Sequence, residues 1–135
     1  MVDDNSLGLQ ARKAVLEELG HRVTASGNAE DALEQLADGH HFDIVITDFK
    51  LPAMNGKELI QEIRLRKLPV ATVLLSGFVD AMGLNEGNTG ADVVLQKSAQ
   101  EVTHLVRSVK ALLRRRKPAS ADPGAAQGDA DRRKA

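Results

Sequence analysis

Residues 42–56 read FDIVITDFKLPAMNG, and this stretch decides the fold. Its first part, 42–47, is a compact β-branched apolar run, the pattern of a strand buried on both faces. Its second part is a loop with Pro52 and Asn55-Gly56 as turn residues. A carboxylate, Asp48, stands at the junction. Two more short apolar runs follow, VATVLL at 70–75 and ADVVLQ at 91–96. Between the first two lies a helical spacing through Leu59, Ile60, Ile63 and Leu65.

The pattern extends in both directions. Leu7, Ala11, Ala14, Val15 and Leu19 recur at helical intervals, and Gly20 stops the run as a C-terminal cap would. Residues 21–26 are extended. Gly27-Asn28 supplies a turn and an N-cap for a helix through Ala29, Ala32, Leu33, Leu36 and Ala37. Residues 78–88 make a poor helix, interrupted by Gly83 and Gly87. The best helix covers 99–116, with Val102, Leu105, Val106, Val109, Leu112 and Leu113 on one face. Strands alternating with helices imply crossover units and a parallel sheet covered on both faces. Only Met1 and Val2 precede the acidic pair Asp3-Asp4, so the opening strand is truncated: two residues reach about 7 Å.

The chain has 135 residues, enough for one domain with a sizeable core. With three Phe and neither Trp nor Tyr, that core is aliphatic. The absence of cysteine excludes disulfides and thiolate metal sites and fits a reducing cytoplasm. Neither a signal peptide nor a long apolar run is evident, so a soluble, cytoplasmic protein is expected, with no membrane partner. Residues 1–113 carry 11 Lys/Arg against 16 Asp/Glu, a balance of −5; residues 114–135 carry 7 against 3, a balance of +4. An acidic body argues against direct nucleic-acid binding by the folded part. The segment 118–135, built from Ala, Gly, Pro, Asp and Arg, is expected to be a disordered tail after a domain spanning 1–117.

In an open parallel sheet, sites form at the carboxyl ends of the strands. Asp48, Ser76 and Lys97 each follow an apolar run, and Asp3 and Asp4 follow the stub. Three neighbouring carboxylates repel one another and call for a counter-charge. A hard divalent cation such as Mg²⁺ suits that oxygen set. Lys97 offers a point charge for an oxyanion, and Ser76 a hydroxyl donor. Carboxylates form aspartyl phosphates, so the residues suggest metal-assisted phosphoryl transfer to Asp48.

Four motifs in register, VDDN, DIVITDFKLPAMNG, VLLSG and VVLQK, resemble the response-regulator receiver domain of two-component signalling over roughly residues 2–116. The resemblance implies a flavodoxin-like three-layer α/β fold with parallel strand order 2-1-3-4-5. It implies phosphorylation of Asp48 by a histidine kinase or phosphotransfer protein. It also implies Mg²⁺ at Asp3, Asp4, Asp48 and the main-chain carbonyl of Lys50, with Asp4 the expected direct ligand of the acidic pair. Ser76 matches the switch hydroxyl, Lys97 the lysine that pairs with the phosphoryl group, and Gly77 the small residue that leaves its path open. Such a domain is no enzyme beyond transferring phosphoryl to its own Asp and hydrolysing it.

Two positions depart from the family pattern. Ser98 stands where a cis proline usually follows the lysine, and Val94 where an aromatic switch residue is frequent. Each site residue also has a plainer reading. Asp48 can end a strand, Asp3 or Asp4 can cap the helix that begins near Leu7, and Lys97 and Ser76 can be ordinary surface groups. His21, His40, His41 and His104 lack ligand spacing and read as solvated. The basic run 114–117 reads as a favourable charge at a helix C-terminus. The end of the chain is too short and polar for a DNA-binding module, so output is expected through protein–protein contacts with an unknown target. The alternative is a degenerate receiver used as a docking or dimerisation module without phosphorylation. A phosphatase of the haloacid dehalogenase type is disfavoured because Lys50 stands where its second Asp is required.

Overall fold

A computed structural model describes residues 1–38, 41–77 and 79–116; His40 and the segment 118–135 lie outside them. The elements run α1 (Ser6–Glu18), α2 (Ala29–Ala37), β1 (Ile44–Asp48), α3 (Gly56–Leu65), β2 (Ala71–Ser76), α4 (Val79–Met82), α5 (Glu86–Thr89), β3 (Val93–Gln96) and α6 (Glu101–Arg116). Strands β1, β2 and β3 pair in parallel in that order, with Ile46 opposite Val73 and Leu75 opposite Leu95.

The β-branched run of β1 is wholly buried because both faces are covered. Ile44 and Ile46 point to one side, where α1 gives Leu9 and Leu16 and α6 gives Leu105, Val109 and Leu112. Val45 points to the other, against Ala29, Ala32 and Leu33 of α2 and Leu59 and Ile63 of α3. Period-2 alternation in the strands thus sorts the aliphatic core into two layers. The result is the three-layer parallel α/β sandwich expected from the sequence.

The first two expected strands survive only as isolated bridges, Val2 to Ser26 and Val2 to Thr47. Val2 therefore sits between residues 21–26 and β1, as the order 2-1-3-4-5 requires at that level. The stub is well tied. Val2 donates to the Ile46 carbonyl and Asp48 donates to that of Val2, both at 2.8 Å; on the other side Ser26 donates to Met1 (2.8 Å) and Asp3 to Ser26 (3.0 Å). Below it, Met1, Val2, Thr24, Phe42 and Ile44 line a small cavity of about 30 Å³. The terminal ammonium of Met1 is buried there with the Thr24 carbonyl at 2.8 Å, and burial lowers its pKa from 8.0 to about 5.

Several helix faces differ from the apolar spacing. In α1 the buried residues are Leu9, Arg12 and Leu16, while Leu7 is 83% exposed. The true stripe contains an arginine, so counting apolar residues selected the neighbouring face. Leu65 and Val102 are likewise exposed at the ends of α3 and α6. Gly83 (φ 63°) separates α4 from α5, but Gly87 lies inside α5 instead of breaking it. His41 and His104 are exposed, whereas His21 is half-buried, which corrects its reading as solvated.

Candidate functional site

Asn5 decides how the N-terminal carboxylates are used. It caps α1, accepting from the amides of Leu7 and Gly8 at 3.1 and 3.3 Å, so neither Asp3 nor Asp4 has to. Asp3 instead turns inward, accepting from the Asn5 amide at 2.9 Å. Asp4 stays exposed, and Asp48 is buried at the end of β1. Each of the three can offer a carboxylate oxygen to a common point, all within 4.8 Å of one another. Asp3 is held by the stub's backbone bonds and Asp48 by β1, so the approach of these two comes from the sheet.

Gly56 fixes what lies behind Asp48. Its amide donates to the Phe49 carbonyl at 2.8 Å. A Cβ there would run into the Asp48 carbonyl and the Leu74 side chain. The NG turn read from the sequence is therefore needed for the close approach of α3 to the end of β1. The side chain of the other turn residue, Asn55, forms a reciprocal capping box with Glu58.

The remaining residues come from the next two strands. The Lys97 amide donates to the Ser76 carbonyl at 2.8 Å, which sets the two residues side by side at the rim. Ser76 is buried, and the Lys97 ammonium lies 2.6 Å from Asp48 Oδ1. Lys50 is exposed two residues beyond Asp48. A Cβ on Gly77 would meet nothing within 4 Å. Among the described residues every peptide bond is trans, so the loop carrying Ser98 needs no cis proline to bring Lys97 to Asp48.

Burial raises the Asp48 pKa, the Asp3 charge adds to the rise, and Lys97 and Arg12 oppose it. A nucleophilic carboxylate that is partly desolvated and held by one cation is suited to attack on an electrophilic phosphorus. Three hard oxygen donors converging within reach of one ion also fit Mg²⁺. The donor set is therefore compatible with the cation implied by the resemblance.

Two residues escaped the sequence reading. Arg12 is buried, with Nη1 2.9 Å from Asp3 and Nη2 3.1 Å from Glu101. The available signal was a charge at i+3 from Leu9 and i−4 from Leu16. Gln96 pins the loop after β2, donating to the Gly77 carbonyl at 2.7 Å and accepting from the Val79 amide at 3.0 Å. Its place at the exposed end of an apolar strand gave no hint of that.

The geometry is that of an acidic rim with Lys97 paired to Asp48, and comparison with known proteins places the chain in a family. The chain belongs to the response regulator receiver domain family, whose pattern matches residues 1–110. It is 33% identical over 149 residues to the transcriptional regulatory protein AruR of Pseudomonas aeruginosa, covering 99% of this chain. It is 44% identical over 64 residues to the virulence sensor protein BvgS of Bordetella bronchiseptica, covering 47% of this chain. The chain spans 60% of the length of AruR and 5% of that of BvgS. In structure it is similar to the response regulator TrrA of Thermotoga maritima, solved in complex with Mg²⁺–BeF. That match has a TM-score of 0.73 and 30% identity, covering 82% of this chain and 94% of that one. Receiver domains are signalling domains and not enzymes in the ordinary sense. Among the described residues no helix is long and apolar enough to cross a membrane.

Proposed function

We propose that this chain is a phospho-accepting receiver of a two-component phosphorelay, with Asp48 as the acceptor. The observation that carries the reading is the convergence of Asp3, Asp4 and Asp48 within 4.8 Å, with Lys97 held 2.6 Å from Asp48. A histidine kinase or phosphotransfer protein presents a phosphohistidine. An Asp48 carboxylate oxygen bonds to phosphorus while the N–P bond breaks, and the imidazole leaves with the electron pair of that bond. Asp3, Asp4, Asp48 and the Lys50 carbonyl would hold Mg²⁺, which neutralises phosphoryl oxygens when bound.

Lys97 already faces the acceptor and takes over a phosphoryl oxygen as its ion-pair partner. Ser76 donates its hydroxyl to another oxygen. Phosphorylation adds about −1.5 to −2 charges at one residue. That change biases Ser76, Lys97 and the segments attached to them, namely the loop pinned by Gln96 and the α4–α5 stretch. Output is then read by a protein that contacts this face. The cytoplasm is where kinase and phosphodonor are available.

Incubation with acetyl phosphate and Mg²⁺ tests the proposal. An acid-stable, base-labile adduct is expected on the wild type and absent from Asp48→Ala. No adduct on the wild type would sink the phospho-acceptor reading and leave a docking module.

A further inference from the structure

Arg12 lies in the middle of α1 on its core-facing side, where an aliphatic residue would be expected. Its guanidinium is nine-tenths buried and bridges two carboxylates, Asp3 at 2.9 Å and Glu101 at 3.1 Å. Its Nε is buried without a hydrogen-bond partner, so its burial carries an unmet desolvation cost. Room for it is specifically made one turn earlier. A Cβ on Gly8 would lie 3.2 Å from Arg12 Nη1, which is tighter than ordinary contact. Glu101 belongs to the first turn of α6, 89 residues away in sequence.

We propose that Arg12 is a positioning residue for the cation site. It acts as the resident counter-charge of Asp3, lowers the site's affinity for Mg²⁺, and carries the state of Asp3 to the first turn of α6 through Glu101. This rests on reading Asp3, Asp4 and Asp48 as the cation site, and it adds a component that the site does not need in order to bind.

The charges explain both effects. A buried Asp3 without a cation would be uncompensated, and Arg12 supplies that compensation from within the fold. A divalent ion entering among the three carboxylates then meets a fixed positive charge just beyond Asp3. At short range in a partly desolvated site, that repulsion is worth at least an order of magnitude in binding. The ion also competes for the electron density of Asp3. As the Arg12–Asp3 bond loosens, the guanidinium shifts its weight to Glu101, and the start of α6 feels the change. Because a planar fork is needed to hold two carboxylates at once, lysine would not substitute.

Calorimetric Mg²⁺ titration of the full chain, without any phosphodonor, tests this. Arg12→Gln is expected to bind Mg²⁺ about tenfold more tightly than wild type. Glu101→Gln leaves the Arg12 charge less neutralised and is expected to bind several-fold more weakly. Amide resonances in the first turn of α6 should move with Mg²⁺ in the wild type and stay in place in Glu101→Gln. A merely structural Arg12 would alter stability without moving the two affinities in opposite directions. Equal or weaker Mg²⁺ binding by Arg12→Gln overturns the proposal. If that variant does not fold, unchanged affinity in Glu101→Gln, whose carboxylate is partly exposed, overturns it equally. Absence of any Mg²⁺ binding by the wild type overturns the cation-site reading itself and is thereby distinguishable.

Discussion

At the scale of single residues, the rim is built from charges that the fold holds in an uncomfortable place. Asp48 is buried next to Asp3, and Lys97 and Arg12 favour its ionised form. Its folded pKa lies above the unfolded value of 3.8. Between the two, the folded state holds the proton that the unfolded state has lost, so stability falls as pH rises through that window. At neutral pH the ionised group carries its full burial cost. Asp48→Asn should therefore be more stable than wild type at pH 7 by about 1 kcal/mol, with the gain fading as pH falls toward 3.8 and absent below it. The value is at the low end because Lys97 already offsets much of the cost. Urea melts of the two proteins at pH 7 and pH 3.5 check this; an equal gain at both would show that the carboxylate charge is not the cause. Asp48, Ser76 and Lys97 were legible because each ends an apolar run. Arg12 was not, because a charge inside a helical pattern reads as a solvent position until packing shows otherwise.

At the scale of elements, the least expected piece is the stub. Met1 and Val2 hold the place of a first strand, and the structure shows how they are tied. Met1, Val2 and Asp3 exchange backbone hydrogen bonds with both 24–26 and 46–48, which is enough to aim the acidic pair. The cost falls on the terminal amine, buried over the cavity beneath Val2. For this group the folded pKa of about 5 lies below the unfolded 8.0. Below pH 5 both states are protonated and the burial penalty is complete. Between 5 and 8 only the unfolded chain keeps its proton, so stability rises with pH. Above 8 no penalty remains. The interval corresponds to about 4 kcal/mol. Denaturant melts of a chain beginning at Met1 should show this rise from pH 5 to 8, and acetylation of the amine should flatten it. A slope that survives acetylation would place the titrating group elsewhere. The stub's strand-like bonding was illegible for a plain reason: two residues carry no periodicity, and their pairing exists only once β1 and residues 24–26 flank them.

At the scale of the whole molecule, the fold gathers residues 3, 4, 48, 76 and 97 because parallel strands all end on one side, and that much follows from order and spacing alone. What spacing could not give is how the rim connects outward. Segment 79–90 consists of two four-residue helices, α4 and α5, with glycines at φ 63° and 78°. It is fastened to β3 mainly by side chains. Gln96 holds the Val79 amide at 3.0 Å, and Glu86 accepts from the Val94 amide at 3.0 Å. Such short, partly exposed elements open locally at far lower cost than β1 or α3. Gln96 directly precedes Lys97, so any movement of Lys97 toward a phosphoryl group pulls on the residue that pins this segment. Binding of Mg²⁺ and beryllofluoride, a phosphoryl mimic, should therefore change amide exchange across 79–90 several-fold. Amides of α2, packed against α3 across the far layer, should change little. Exchange measured by mass spectrometry with and without the mimic decides the matter. Equal exchange at 79–90 in both states, with the mimic demonstrably bound, would mean that the rim and this face are not coupled through Gln96.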